Sequence, residues 1–210
     1  MTPLPRLYAI LDTSCFSGLP ALFDAARELI AAGVSLIQYR DKSGDAQIIL
    51  ARARELLEQS RTGVSAPHGL RLIMNDRADL CVAAEFGGVH VGQDDISAGS
   101  ARKIVGSGRW VGVSTHNPEQ VMAADKTSAD YIAIGPVFPT GSKSNPDPVV
   151  GIAGVRRARE LTRKPLVAIG GITRANCKEV IKAGADSVAV ISDLIRDPRK
   201  SAEEFLRILG

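Results

Sequence analysis

The chain has 210 residues, 45% hydrophobic and 23% charged, with a formal net charge of +3. That is enough sequence for one substantial core, and charge so evenly mixed excludes a surface built to coat nucleic acid. Aromatic residues make up only 4%, which also argues against a platform for stacking single-stranded bases.

Short apolar runs alternate with amphipathic segments along the whole chain. Arg6-Leu-Tyr-Ala-Ile-Leu-Asp12 reads as a first strand. A helix follows, with Leu22, Ala25, Ala26, Leu29 and Ile30 at three-and-four spacing. Ser35 to Arg40 is the second strand, and Ile49, Leu50, Ala53, Leu56 and Leu57 mark its helix. Leu72 to Asp76 and Gly88 to Gly92 are the third and fourth strands, separated by a helical stretch from Arg77 to Glu85. Trp110 to Ser114, Tyr131 to Gly135, Pro165 to Gly170 and Ser187 to Ser192 complete the set. Helices are expected over Pro118 to Ala124, Gly154 to Leu161, Ala175 to Ala183 and Ala202 to Leu209, and Gly33 and Gly184 sit where helix C-terminal turns need glycine.

Eight apolar, β-branched strands alternating with helices imply a buried parallel sheet. No Gly-x-Gly-x-x-Gly follows the first strand, which disfavours a dinucleotide-binding sheet. No linker or low-complexity stretch interrupts the pattern. The expected fold is an α/β protein of the TIM (β/α)₈-barrel class, a single catalytic domain over residues 1–210. No apolar run reaches membrane-spanning length, and Met1 to Arg6 lacks a signal peptide's features. Cys15, Cys81 and Cys177 are odd in number and widely spaced, unlike a disulfide framework or a zinc site. A cytoplasmic protein is expected, with small-molecule ligands and no membrane or nucleic-acid partner. A homo-oligomer remains open.

Barrel enzymes place their chemistry where strands end, and the polar residues cluster there. Gln38, Arg40 and Lys42 fall at every second position and share one strand face. They form a cationic rake suited to a phosphate-rich ligand, or else the basic side of a solvated strand. Tyr39 and Asp41 should then face the helix layer. Strand three ends in Asn75-Asp76 and strand four in Gln93-Asp94-Asp95. Asp76 with one of Asp94 and Asp95 offers hard oxygens for Mg2+, the substrate completing the shell. Asp76 could equally cap the helix that begins near Arg77. Gly170-Gly171 and Ile191-Ser192 end strands seven and eight, where this fold commonly cradles a phosphate. Pro139 to Pro148 is a long loop carrying Lys143, a flexible connection or a lid. His90 is expected to be a packed barrel residue, Cys81 a core residue, and His116 to face the mouth. His68, in a Pro-Gly loop, carries no expected role.

Taken together these clusters resemble the thiamine phosphate synthase family. The resemblance runs from Leu7 to Ser192 and rests on an ordered set: Gln38-x-Arg40-x-Lys42, Asn75-Asp76, His90-Val-Gly-Gln-x-Asp95, Gly112-Val-Ser114, Gly135-Pro136 with Pro139-Thr140 and Lys143, Gly170-Gly171, and Val190-Ile-Ser192. It implies a transferase that joins a pyrimidine-methyl diphosphate to a thiazole phosphate, giving thiamine phosphate and pyrophosphate. It further implies that Asp76 and Asp95 bind Mg2+, and that Arg40, Lys42 and Lys143 stabilise the departing diphosphate, which Asn75 also meets. Gln38 and Ser114 would lie near the pyrimidine. Thr140, Ser142, Gly171, Ile191 and Ser192 would hold the thiazole phosphate. Ser142 departs from the family's usual threonine but keeps the hydroxyl. Two rivals are a thiazole tautomerase on the same barrel, for which His116 would serve proton transfer, and a catalytically silent phosphate-binding barrel. The full set of cations with paired aspartates counts against both.

Overall fold

The computed structural model of the protein describes residues 3–61, 69–141 and 147–210. Eight parallel strands close in sequence order into a barrel, with the first hydrogen-bonded to the eighth. They are β1 (Leu7–Asp12), β2 (Leu36–Arg40), β3 (Arg71–Asn75), β4 (Gly88–Val91), β5 (Trp110–Thr115), β6 (Tyr131–Ile134), β7 (Leu166–Ile169) and β8 (Ser187–Val190). The helices among the described residues are α1 (Leu19–Ala31), α2 (Ala46–Arg61), α3 (Ala78–Ala83), α4 (Ala98–Val105), α5 (Pro118–Asp125), α6 (Gly151–Leu161), α7 (Cys177–Lys182), α8 (Ser192–Ile195) and α9 (Pro198–Leu209).

Alternation along the strands divides the core into two compartments. On β1, Tyr8 and Ile10 join Leu36, Ile73, Tyr131, Ala133, Val167 and Ala189 in the barrel interior. Leu7, Ala9 and Leu11 belong to the larger layer between barrel and helices. The same parity on β2 sends Leu36 inward and Ile37 and Tyr39 outward. Gln38 and Arg40 therefore point into the barrel, because successive side chains of a strand take opposite faces. Tyr39 and Asp41 do face the helix layer: the Tyr39 hydroxyl donates to Asp41 Oδ2 at 2.8 Å, and Arg52 of α2 reaches the same carboxylate at 2.9 Å.

Local sequence sets the helix starts. Ser97 Oγ accepts from the Ser100 N–H at 3.1 Å to begin α4, and Asn117 Oδ1 accepts from the Gln120 N–H at 2.9 Å to begin α5. Pro118 and Pro198 occupy first turns, where a missing N–H costs nothing. Gly33 and Gly184 end α1 and α7 with φ of 98° and 114°.

Boundaries differ from expectation in two places that bear on the site. Strand three stops at Asn75, and Asp76 takes a left-handed conformation with φ of 61°. Strand eight stops at Val190, and Ser192 opens the short helix α8 rather than ending the strand. A four-residue helix has too few positions to carry a periodic signal.

Gly112 on β5 is required by close approach. A Cβ there would lie 2.1 Å from Cζ of Tyr131 on the neighbouring strand. Gly112→Ala is expected to destabilise the fold by about 1–3 kcal/mol through overpacking, read as a lower urea midpoint. An unchanged midpoint would show that the Tyr131 ring can move aside at no cost. The cysteines allow a second check. Cys15 is exposed, whereas Cys81 and Cys177 are buried. Burial pushes the Cys81 thiol up to about 11. A thiol reagent near neutral pH should label Cys15 quickly and the other two only after denaturation. Rapid labelling of all of them in the native protein would contradict this packing.

Candidate active site

A cavity of about 470 Å³ opens at the C-terminal end of the barrel. The resemblance-implied residues that the structure describes all line it. Gln38, Arg40 and Lys42 come from β2 and the turn after it, Asn75 from the end of β3, Asp76 from the turn that follows, and Asp95 from the segment after β4. Ser114, Thr140, Gly171, Ile191 and Ser192 complete the wall. Ser142 and Lys143 lie outside the described residues, as do His68 and the middle half of the Pro139 to Pro148 loop.

The two cations of the rake are held differently. Arg40 is ion-paired to Asp12, the last residue of β1 and only 2% exposed. Ser14 fixes the other oxygen of that carboxylate, its N–H at 3.0 Å and its hydroxyl at 2.7 Å. Arg40 thus stands on a rigid mount. Lys42 has left the strand, is 55% exposed along its side chain and pairs with Asp76. Its stem is free to swing, as a flexible lysine can.

Asp76 does not cap the following helix. Arg77 holds the cap position of α3, and no side chain bonds there. The left-handed backbone at Asp76 carries its carboxylate to Lys42 and beside that of Asp95. Burial, and then the neighbouring Asp95 carboxylate, push the Asp76 acid above the usual carboxylate range, against the pull of Lys42. Asp95, rather than Asp94, makes this contact, and its Oδ2 is fixed by the Gly92 N–H at 2.8 Å.

No group of three or more His, Cys, Asp or Glu side chains that could hold a metal occurs among the described residues. Two hard carboxylates in contact, facing a cavity, are an incomplete cage. That donor set fits a magnesium ion, which keeps several non-protein ligands and is met by one or two carboxylates plus phosphate oxygens.

Across the mouth, Gly170 and Gly171 have φ of 99° and 63°. A Cβ on Gly171 would stand 2.6 Å from the Pro139 carbonyl oxygen, so only glycine lets this turn pack under the β6 loop. Asn176 Nδ2 donates to the Gly171 carbonyl at 3.1 Å. Arg174 clamps the turn to the next one: its backbone N–H meets Asp193 Oδ2 at 2.9 Å, and its guanidinium meets Asp193 Oδ1 at 3.0 Å and Glu204 of α9. This holds the Gly171 and Ile191-Ser192 segments at a fixed separation.

From sequence, His90 reads as a packed barrel residue. It is buried, but it also lines the cavity, with Nδ1 3.0 Å from the Tyr131 hydroxyl and Nε2 2.9 Å from Ser114 Oγ. Burial lowers its pKa to about 4, so the ring is neutral. Tyr8, Asp12 and Arg174 were not singled out either. Inward parity with Ile10 was the available signal for Tyr8. His116 does reach the mouth, where Nδ1 lies 2.6 Å from the Gly135 carbonyl and Nε2 3.4 Å from Asp147.

Comparison with known proteins matches this arrangement. The family described as thiamine monophosphate synthase covers residues 7–194. A thiamine-phosphate synthase from Koribacter versatilis is 59% identical over 209 residues, spanning 98% of this chain and 96% of its own. One from Shouchella clausii is 39% identical over 203 residues, spanning 96% and 94%. Among solved structures, a thiamine phosphate pyrophosphorylase from Pyrococcus furiosus superposes with a TM-score of 0.83 at 31% identity, covering 97% of this chain and 95% of that one. Barrel, strand-end residues and near full-length relatives agree: the chain belongs to the thiamine monophosphate synthase family, and it is a transferase of thiamine biosynthesis.

Proposed function

We propose that the protein condenses 4-amino-2-methyl-5-(diphosphooxymethyl)pyrimidine with 4-methyl-5-(2-phosphooxyethyl)thiazole, giving thiamine phosphate and pyrophosphate. The observation that carries this reading is the meeting of Lys42, Asp76 and Asp95 beside the mounted Arg40 at the cavity mouth. The C–O bond to the diphosphate breaks first, and its electron pair leaves with the diphosphate oxygen. The thiazole nitrogen then donates its lone pair to the methylene carbon. That nitrogen carries no proton to lose, so the step needs no general base.

The work left to the chain is to stabilise charge as the leaving group departs. Arg40 offers its remaining N–H donors from a fixed position, and Lys42 follows the phosphate as a mobile charge. Asp76 and Asp95 would hold magnesium, which supplies positive charge at the diphosphate when bound. Asn75 adds a neutral donor at the same end. Gln38 and Ser114 orient the pyrimidine. Thr140, Ser142 and the backbone of Gly171, Ile191 and Ser192 hold the thiazole phosphate. His116 has both ring nitrogens engaged, which does not favour a tautomerase. The three free cysteines fit a reducing cytoplasm.

The purified protein, given both substrates and magnesium, should release pyrophosphate in step with thiamine phosphate. No coupled product, or a rate indifferent to chelator, would reject the mechanism. Lys143→Ala should slow single-turnover coupling by about a hundredfold, the usual loss for one preorganised donor. A rate near wild type would remove Lys143 from the site.

A further inference from the structure

Four hydrogen bonds cross the barrel interior in one unbroken line. Gln38 Nε2 donates to the Tyr8 hydroxyl at 2.7 Å. The Tyr8 and Tyr131 hydroxyls are 3.0 Å apart. Tyr131 lies 3.0 Å from His90 Nδ1, and His90 Nε2 lies 2.9 Å from Ser114 Oγ. The two tyrosines are at most 1% exposed, Gln38 is 3% and His90 8%, so bulk water does not substitute for any of these partners.

Each hydroxyl owns one proton, so the direction at one end fixes every other. An amide nitrogen only donates. Tyr8 accepts from Gln38 and must place its own proton on Tyr131. Tyr131 in turn places its proton on His90 Nδ1. An imidazolium would set an N–H against that proton, so the ring carries its single hydrogen on Nε2 and donates it to Ser114. The Ser114 proton is then left for the cavity. At the other end the Gln38 amide oxygen is left for the cavity too. Among the described residues, neither group has a further hydrogen-bond partner.

We infer that Tyr8, Tyr131 and His90 form an ordered donor line that presents Gln38 to the ligand as an acceptor and Ser114 as a donor. Resting on the substrate reading above, these three are positioning residues for the aminopyrimidine: the exocyclic amino group donates to Gln38 Oε1, and a ring nitrogen accepts from Ser114. The opposite order, with the amide turned over and every proton reversed, would instead suit a 4-oxo ring, whose carbonyl accepts and whose ring N–H donates. Amide orientation and imidazole tautomer are therefore one choice, not two.

The tautomer can be read without any substrate. In the 210-residue chain carrying His68→Gln and His116→Gln, His90 is the single histidine, and ¹⁵N NMR of the labelled ring should show a neutral imidazole protonated on Nε2. Protonation on Nδ1, or rapid averaging of the two forms, overturns the ordering. Binding supplies the second readout. The diphosphate of the 4-oxo ring should compete about a hundredfold less well than the amino substrate, because its carbonyl would face the accepting Gln38 oxygen and its ring N–H the donating Ser114 hydroxyl. Equal competition overturns the ordering.

Tyr131→Phe cuts the line without touching ligand groups at either end. It should raise the KM for the pyrimidine substrate about tenfold and leave that for the thiazole phosphate essentially unchanged. Combined with Ser114→Ala, it should cost no more than the larger single change, since both disable the same donor. Strict additivity, or equal loss toward both substrates, overturns the coupling. If the Nε2–H form is found but aminopyrimidine diphosphate does not bind, the ordering stands and the substrate reading falls. If coupling proceeds with the Nδ1–H form, the reverse holds.

Discussion

Asp76→Asn is expected to lower single-turnover coupling roughly a thousandfold while leaving the fold as stable as before, or more so. The Asp76 and Asp95 carboxylates stand side by side on the cavity wall, and partial burial and the like charge both raise the Asp76 acid. An amide there removes one of two repelling charges and keeps the shape. Asparagine also tolerates the left-handed backbone that this position adopts, φ 61°. Lys42 loses a partner, but a cation that is 55% exposed gives up little by returning to water. What the variant lacks is half of the oxygen pair that would hold magnesium beside the diphosphate, and that loss is felt as the C–O bond breaks. The check is a pair of measurements: urea unfolding, and pyrophosphate release across a magnesium titration. Activity within about tenfold of wild type would sink the assignment. A collapsed midpoint would show that the pair serves the fold instead.

Arg40→Ala should damage both stability and rate, and the two losses can be separated. The substitution leaves the Asp12 carboxylate, 2% exposed, without its ion partner. Removing one member of a buried pair costs about 3 kcal/mol or more when nothing else compensates. Ser14 still donates twice to that carboxylate, which moderates the loss. Adding Asp12→Asn removes the stranded charge and should return most of the stability. It should not return the rate, which falls about a hundredfold for want of a fixed donor to the leaving group. Arg40→Lys should behave more like alanine than like arginine, because one ammonium cannot grip Asp12 and fork onto a phosphate together. Recovery of rate in the Asp12→Asn, Arg40→Ala protein would mean that Arg40 acts only as a structural counter-ion.

The barrel was legible because its signals are periodic and repeated. Eight apolar runs alternate with amphipathic stretches, and each buried strand shows its β-branched residues in sequence. The rake was legible from parity, since Leu36, Gln38 and Arg40 share a face. Lys42 obeys that parity although the strand has already ended at Arg40; its place comes from the ion pair with Asp76. The choice between cap and ligand for Asp76 was not legible, because it turns on one backbone angle that no pattern encodes. The Tyr8–Tyr131 contact was beyond reach for a different reason. It joins residues 123 positions apart, and only barrel closure, with Gly112 clearing space for the ring, brings them together. Tyrosine and histidine at inward positions look like packing until their polar atoms can be placed.

The paired state of the rake has a further consequence for what the site admits. Arg40 rests on Asp12 and Lys42 on Asp76, so the rake does not present bare cations to any anion. Ligand entry at the Lys42 side is an exchange: a phosphate oxygen must take the ammonium from a carboxylate already in place. On the proposed reading, a diphosphate bound together with magnesium would compensate both partners, its oxygens taking Lys42 and the cation held by Asp76 and Asp95. The Lys42–Asp76 pair would then favour a ligand that brings charges of both signs over a simple anion that brings one.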